Sequence, residues 1–155
     1  MKKAILIGAS SGIGKEVAIE LSKRGYELGL TARRTNLLTE LSNLCPNKTY
    51  IEYMDTAKHD ETRAILEKLI ERMAGVDVII YNAGIGESSG KWEKENAMLQ
   101  INAIGFAAVA NFAFHYFKKG NRAGQIVGIS SVMGVRGMRH ALGYGATKAF
   151  MSNYM

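Results

Sequence analysis

Short apolar runs alternate along the chain with longer segments in which apolar residues recur at helical spacing. The short runs, most of them bounded by Gly, Asn or Pro, are typical of buried β-strands and cover residues 3–7, 26–32, 49–54, 76–81 and 125–130. The helical patterns cover residues 13–24, 36–43, 58–73 and 93–119, and a last one starts near Leu142. Strict alternation of strand and helix predicts an α/β fold: a doubly wound parallel sheet with helices on both faces and right-handed crossovers.

One predicted helix is apolar on nearly every side. In residues 101–117, only Asn102, Asn111 and His115 interrupt a run of apolar residues and glycine. A helix of this composition has to be buried on more than one side. The sheet covers one face, and either a second subunit or another part of the same chain covers the other. We expect a homodimer or homotetramer through this helix and the one at residues 144–155.

A glycine-rich loop follows the first predicted strand and opens the first helix. It reads Gly8-Ala9-Ser10-Ser11-Gly12-Ile13-Gly14. Free backbone N–H groups and the positive end of the helix dipole converge in such a loop, which makes it a site for a phosphate. Gly8 permits the turn off the strand, Gly12 lets the backbone approach a pyrophosphate, and Gly14 lets helix and strand pack closely. Taken alone, the spacing also fits a tight strand–helix connection without a ligand.

Two arginines follow the second predicted strand, in the stretch Thr31-Ala32-Arg33-Arg34. In a dinucleotide-binding fold, an acidic residue here holds the ribose of NAD, whereas an arginine accommodates the 2′-phosphate of NADP. Glu27 is near the expected sequence distance, but it lies at the wrong end of the strand. Arg33 and Arg34 therefore favour NADP over NAD; the alternative is that both are solvated surface residues.

Polar and small residues also follow the third and fourth strands. Asp55 comes after the third strand, where its carboxylate can accept a hydrogen bond from an adenine amino group. Capping of the next helix is the alternative role for Asp55. Asn82-Ala83-Gly84 ends the fourth strand, and its small residues suit a backbone that passes close to a ligand, although an ordinary turn would use them too.

Tyr144 and Lys148 stand at positions i and i+4 of the last predicted helix, so they lie on the same face one turn apart. Free tyrosine has a pKa of about 10, too high for rapid proton exchange at neutral pH. A neighbouring ammonium favours the phenolate and lowers that pKa. The pair therefore predicts a tyrosine that acts as a general acid or base.

Taken together, these motifs resemble the short-chain dehydrogenase/reductase family. The matching residues are Gly8 to Gly14, Asp55, Asn82-Ala83-Gly84, Asn102, Ser131, Tyr144 and Lys148, with Ser131 thirteen positions before Tyr144. The resemblance runs from Met1 to Met155. It implies a Rossmann-type sheet, of which the C-terminal strands are missing here.

The resemblance also implies a role for each residue. Tyr144 would donate a proton to a carbonyl oxygen or take one from an alcohol, and Ser131 would orient the same oxygen. Lys148 would lower the pKa of the tyrosine and hold the nicotinamide ribose. Asn102 would bind a water that connects Lys148 to solvent. The cofactor expected is NADP(H), with NAD(H) second, and the substrate is a small carbonyl compound or alcohol.

Composition narrows the class of protein. The chain has 155 residues and one proline, which indicates a single ordered domain. Its one cysteine, Cys45, excludes an internal disulfide and fits the cytoplasm. No segment approaches the length of a membrane span. The net charge is +6, but the positive charges are scattered, so we expect no nucleic-acid binding.

The segment between Ser131 and Tyr144 has to pass beside the substrate if those two residues are catalytic. It carries Arg136, Arg139 and His140, which either favour an anionic substrate or are solvated loop charges. The three histidines, His59, His115 and His140, show no metal-ligand spacing, and we expect no metal site.

Two features depart from the family pattern. Some NADP-preferring relatives carry a second basic residue before the second glycine, where this chain has Ser11, so the NADP assignment rests on Arg33 and Arg34. The chain also ends seven residues beyond Lys148. We therefore expect it to be part of a longer enzyme of roughly 230–250 residues. The leading hypothesis is an NADP-dependent oxidoreductase, and the alternative is a non-catalytic NADP-binding regulatory or structural subunit.

Overall fold

The computed structural model describes residues 1–86, 88–121, 123–139 and 141–155. Five strands form one sheet: β1 (Lys3–Ile7), β2 (Glu27–Ala32), β3 (Thr49–Tyr53), β4 (Val78–Tyr81) and β5 (Gln125–Gly128). Their spatial order is β3-β2-β1-β4-β5, and every neighbouring pair is parallel. The predicted α/β fold of Rossmann type is therefore confirmed.

In the described part of the chain, six α-helices connect and flank these strands. They are α1 (Gly12–Lys23), α2 (Thr35–Ser42), α3 (Thr62–Met73), α4 (Trp92–Leu99), α5 (Phe106–Lys119) and α6 (Leu142–Tyr154). The helix predicted at residues 58–73 begins instead with a separate 3-10 turn, His59–Glu61. The long helix predicted at residues 93–119 contains a π-helical turn, Gln100–Gly105, between α4 and α5.

Alternation along β1 divides the interior into two hydrophobic clusters. Ile5 and Ile7 face α3 and α5, in a cluster that also contains Leu66 and Phe106. Ala4 and Leu6 face α1 and α2 on the other side of the sheet. Because both faces are covered, β1 reads as a continuous apolar run, as central strands of parallel sheets do.

The helical stretch Trp92–Lys119 corrects one expectation. By length and composition alone it could cross a membrane, so the expectation that no segment reaches such a length is wrong. Composition misleads here because one face of α5, including Val109 and Ala113, packs into the core beneath the sheet. Core helices of soluble proteins pass the same test. The opposite face, with Ile104 and Phe114, is exposed in this chain, so what covers it stays a prediction.

The strand order places a crevice at the end of β1 and β4. The chain proceeds from β1 through β2 to β3 on one side, and then returns to add β4 and β5 on the other. At such a switch point, the loops after the two central strands separate, and ligands bind between them. The glycine loop follows β1 and Asn82 follows β4, so both border this crevice.

Truncation of a core leucine tests the packing of α3 on the sheet. Leu66→Ala removes a fully buried side chain and is expected to lower the free energy of unfolding by about 2–5 kcal/mol. The matched control is Leu44→Ala, because Leu44 is 54% exposed and its truncation should change stability by less than about 0.5 kcal/mol. Urea unfolding followed by circular dichroism measures both. Equal effects of the two substitutions would contradict this packing.

Candidate functional site

The glycine loop after β1 is held against the loop after β4. Gly8 has φ +87°, and a methyl group on it would lie 2.6 Å from the Ala83 backbone nitrogen. A methyl group on Gly14 would overlap the Gly8 carbonyl oxygen and lie 2.5 Å from Asn82 Nδ2. The absence of side chains at Gly8 and Gly14 therefore permits the two loops and the start of α1 to meet.

Asn82 fastens this contact through both its backbone and its side chain. Its Nδ2 donates to the Gly8 carbonyl at 2.8 Å, and the backbone nitrogens of Asn82 and Ala83 both donate to the Ile7 carbonyl at 2.9 Å. The amide side chain is thus part of the frame that shapes the glycine loop. Sequence reasoning placed Asn82 near the ligand but missed this bond.

The N-terminus of α1 opens toward the crevice. Ser11 is its N-cap residue and makes no side-chain capping bond. The first N–H groups of a helix have no acceptor within the helix, so those of α1 are available to a phosphate. Gly12 has φ +58° with open space around it, and Ile13 is exposed beside it.

Arg34 lies across this loop. Its Nη2 donates to Ser10 Oγ at 3.0 Å and to Ser11 Oγ at 2.7 Å. These bonds hold a guanidinium beside the helix N-terminus, and a guanidinium there has the charge and the N–H geometry to bind an anion. Arg33 is exposed next to it. The arrangement fits a dinucleotide with a pyrophosphate and one further phosphate.

A cavity of about 240 Å³ follows the carboxyl ends of the strands. Its walls are Ile7, Gly8, Ser10, Ser11, Ala32, Arg33, Arg34, Met54, Asp55, Thr56, Asn82, Ala83, Gly84, Ile85 and Ile101. The predicted cofactor residues Gly12, Ile13 and Gly14 lie outside these walls, because Gly14 faces the strand side of the loop and Ile13 faces outward. Tyr144 and Lys148 lie beyond them as well.

Asp55 lines the cavity and also caps a turn. Its Oδ1 accepts a hydrogen bond from the Ala57 backbone nitrogen at 3.1 Å. The next 3-10 turn has Lys58 as its N-cap residue, so Asp55 does not cap a helix. Within the described residues, the hydrogen bond to Ala57 uses one carboxylate oxygen, and the other can accept from a ligand.

Tyr144 and Lys148 occupy one face of α6, one turn apart. Lys148 is buried, and its Nζ donates to the Ile129 carbonyl at 2.7 Å. The same Nζ lies 5.7 Å from the centre of the Tyr144 ring. Burial lowers the pKa of Lys148 from its ordinary value, because the charged form loses hydration.

The two serines after β5 have different surroundings. Ser130 Oγ bonds to the Lys148 carbonyl at 3.0 Å and to Ser152 Oγ, which attaches the end of β5 to α6. Ser131 Oγ accepts from the Met133 nitrogen at 3.2 Å, and its hydroxyl hydrogen can still donate.

The 3-10 turn that follows Ser131, Val132–Gly134, packs directly on α6. A methyl group on Gly145 would lie 2.8 Å from the Met133 carbonyl oxygen. Ser131 is therefore held next to the turn of α6 that carries Tyr144.

Asn102 is fully buried in the π-helical turn. Its Oδ1 accepts from the Ile85 nitrogen at 2.9 Å, while its Nδ2 donates to the Ile85 carbonyl at 2.8 Å and to Thr147 Oγ1 at 3.2 Å. The side chain thus ties the loop after β4 to α6. The apolar pattern gave no signal of Thr147 as its partner.

Gly84 lies between the cavity and the side chains of Asn102 and Lys148. It lines the cavity, and a methyl group on it would lie 3.3 Å from Asn102 Oδ1 and 3.5 Å from Lys148 Nζ. A methyl group on Gly86 would touch the Tyr144 ring at 3.9 Å. The loop after β4 therefore leads from the phosphate end of the crevice to the tyrosine and lysine.

The segment after Ser131 is open to solvent. Val132 and Val135 are exposed, and so are Arg136 and Arg139, whereas His140 lies outside the described residues. No group of three His, Cys, Asp or Glu side chains in the described part of the chain could hold a metal ion.

Comparison with known proteins places these features in a family. The family model described as short chain dehydrogenase matches residues 2–155. An uncharacterized oxidoreductase of Mycobacterium tuberculosis is 34% identical over 158 residues, which cover 96% of this chain and 62% of the relative.

Solved structures show the same fold. ElxO with NADP bound matches with a TM-score of 0.90 and 27% identity, covering 99% of this chain and 64% of ElxO. An alcohol dehydrogenase from the archaeon Thermococcus sibiricus, complexed with 5-hydroxy-NADP, also has a TM-score of 0.90 and 27% identity, over 99% of this chain and 68% of its own. The chain spans less than two-thirds of the M. tuberculosis relative and of ElxO.

Substitution of Gly14 tests the packing of the glycine loop. In an ordinary helix, glycine to alanine stabilises by about 1 kcal/mol. Gly14→Ala should instead destabilise by about 1–3 kcal/mol, because the new methyl group overlaps the Gly8 carbonyl. Gly137→Ala is the control, since nothing lies within 4 Å of a methyl group there. Thermal unfolding gives the sign, and a more stable Gly14→Ala protein would refute the packing.

Proposed function

The chain belongs to the short chain dehydrogenase family, and on that premise we propose that it is an oxidoreductase that transfers a hydride between NADP(H) and a carbonyl or alcohol substrate. The observation that carries the proposal is the position of Gly84. This residue borders the dinucleotide cavity on one side and Asn102 and Lys148 on the other. A dinucleotide laid along the crevice would thus extend toward Tyr144.

The choice of NADP(H) rests on Arg34. Its bonds to Ser10 and Ser11 hold a cation at the end of β2, where a ribose phosphate would lie. No carboxylate from the described residues lines the same part of the cavity, since Asp55 stands at the end of β3. The NADP in ElxO supports the same choice.

Tyr144 is the proposed proton donor and acceptor. A neutral phenol is a weak acid, so its proton transfer needs a positive charge nearby. Lys148 Nζ supplies that charge from 5.7 Å, measured to the ring centre. Ser131, with its hydroxyl hydrogen free to rotate toward substrate, would donate a hydrogen bond to the same substrate oxygen.

Lys148 has to remain charged for this role although burial lowers its pKa. The Ile129 carbonyl accepts one of its three hydrogens at 2.7 Å and offsets part of the lost hydration. Met151 Sδ accepts a second hydrogen at 3.6 Å. A methyl group on Gly84 would lie 3.5 Å from Nζ, and on this side ribose hydroxyls of the cofactor would lie. We propose that Asn102 fixes the position of the loop that contains Gly84 relative to α6. A water beside Asn102 would connect Lys148 to solvent and replace the proton that Tyr144 transfers.

Cofactor titration tests the assignment of Arg34. Arg34→Ala should weaken NADPH binding by about 10- to 100-fold, the equivalent of a charge-assisted hydrogen bond, and leave NADH binding nearly unchanged. Arg63→Ala is the control, because Arg63 is an exposed arginine paired with Glu67 on α3. Nucleotide fluorescence measures both affinities. Equal affinity of the wild-type protein for NADPH and NADH would sink the NADP assignment.

Removal of the phenol hydroxyl separates an enzyme from a non-catalytic NADP-binding subunit. Tyr144→Phe should lower kcat for reduction of a probe aldehyde, 4-nitrobenzaldehyde, by about 100- to 10,000-fold. NADPH affinity should stay within about twofold, because the aromatic ring is retained. Tyr50→Phe is the control, since Tyr50 bonds to Glu27 far from the crevice. Nucleotide binding without turnover by the wild-type protein would favour the non-catalytic subunit.

A further inference from the structure

We propose that Tyr81 is a positioning residue: its hydroxyl fixes the π-helical turn and thereby the orientation of Asn102. The catalytic consequence rests on the proposed function, whereas the structural link does not. Tyr81 is the last residue of β4 and precedes Asn82. Its side chain points away from the glycine loop and packs into the hydrophobic cluster between the sheet and helices α3 and α5.

The Tyr81 hydroxyl has one defined acceptor. Tyr81 is 1% exposed, and its Oη donates to the Ile101 carbonyl at 2.5 Å. Burial raises the pKa of Tyr81 far above its ordinary value, so the hydroxyl stays protonated and remains a donor. A buried tyrosine whose hydroxyl is bonded in this way constrains the group that accepts from it.

That acceptor lies inside the π-helical turn Gln100–Gly105. A π turn inserts a residue into the regular hydrogen-bond ladder of a helix, which leaves carbonyl groups in need of other donors. The Ile101 carbonyl is the oxygen of the peptide unit that joins Ile101 to Asn102. A bond to this oxygen therefore fixes the plane of the peptide on which Asn102 is mounted.

The orientation of Asn102 matters because its side chain serves three partner atoms at once. Its amide bonds to both backbone groups of Ile85 and to Thr147 Oγ1. Thr147 Oγ1 in turn donates to the Tyr144 carbonyl at 2.8 Å. A rotation of the peptide before Asn102 would be transmitted to Ile85 and to the turn of α6 that carries Tyr144.

Gly105 shows how closely the hydroxyl is confined. A methyl group on Gly105 would lie 2.7 Å from Tyr81 Oη and 2.6 Å from the Thr56 carbonyl oxygen. Thr56 lines the nucleotide cavity. The Tyr81 hydroxyl thus stands between the loop after β3 and the π turn, and Tyr81 is not among the residues that line the cavity.

The ring and the hydroxyl of Tyr81 can be tested separately. The ring packs edge-on against Phe106, with centres 5.5 Å apart. Phenylalanine keeps this contact and removes the hydroxyl, together with its bonds to the Ile101 carbonyl and the Thr56 side chain. Tyr81→Phe is therefore the informative variant. Tyr50→Phe is the matched control, because it removes a hydroxyl that bonds to Glu27 at the far end of the sheet.

The first measurement is steady-state kinetics with NADPH and 4-nitrobenzaldehyde. Tyr81→Phe should lower kcat by about 10- to 100-fold through misplacement of the catalytic groups, while KM for NADPH stays within about twofold. Tyr50→Phe should change neither. An unchanged kcat in a folded Tyr81→Phe protein overturns the proposal.

The second measurement does not depend on turnover. The Asn102 side-chain amide signals in a ¹⁵N-labelled protein should shift, and their hydrogen exchange should accelerate, in Tyr81→Phe but not in Tyr50→Phe. Unchanged signals contradict the link between Tyr81 and Asn102. An inactive wild-type protein with shifted Asn102 signals would refute the proposed function and leave the link intact.

If Tyr81→Phe fails to fold, the wild-type protein still provides a test. The Tyr81 hydroxyl hydrogen should give a slowly exchanging resonance with nuclear Overhauser contacts to the π-helical turn, because it is buried and bonded. Absence of that resonance at low temperature overturns the proposal.

Discussion

The close approach of two backbones at the switch point is the constraint on which the rest of the site depends. Gly8 and Ala83 are so near that a methyl group would not fit between them, and the Asn82 amide bonds across the gap to the Gly8 carbonyl. This contact shapes the glycine loop so that the first amides of α1 face the crevice. The segment then continues to Gly84, which lies beside Lys148 Nζ, so one contact positions both the glycine loop and the loop beside Lys148.

The fold was predictable because its signals are local. Five short apolar runs separated by helical patterns can satisfy their backbone groups only in a parallel sheet covered on both sides. The π-helical turn in the long helix was not predictable, since residues 100–105 keep a helical pattern and the hydrogen bond to this turn comes from a hydroxyl on β4. The apolar composition of this helix likewise does not reveal which of its sides meets the sheet.

The site was predictable where spacing along one element determines geometry. Tyr144 and Lys148 are one turn apart on α6, and spacing alone requires it. Contacts between elements that are distant in the chain could not be predicted. The sequence shows two arginines after β2, but only the folded structure shows that Arg34 bonds to the serines of the glycine loop. The burial of Lys148 and the partners of Asn102 likewise arise from packing between elements far apart in the chain.

The shared position of β1 has a thermodynamic and an evolutionary consequence. Ile5 and Ile7 belong to one hydrophobic cluster and Ala4 and Leu6 to the other. Unfolding of either cluster displaces β1, which also packs in the other cluster. The two clusters therefore unfold as one cooperative unit. A single-residue insertion or deletion within β1 would exchange the two sets of side chains across the sheet. Changes of length within this strand are therefore poorly tolerated, whereas exchanges between apolar residues of similar volume remain open to it.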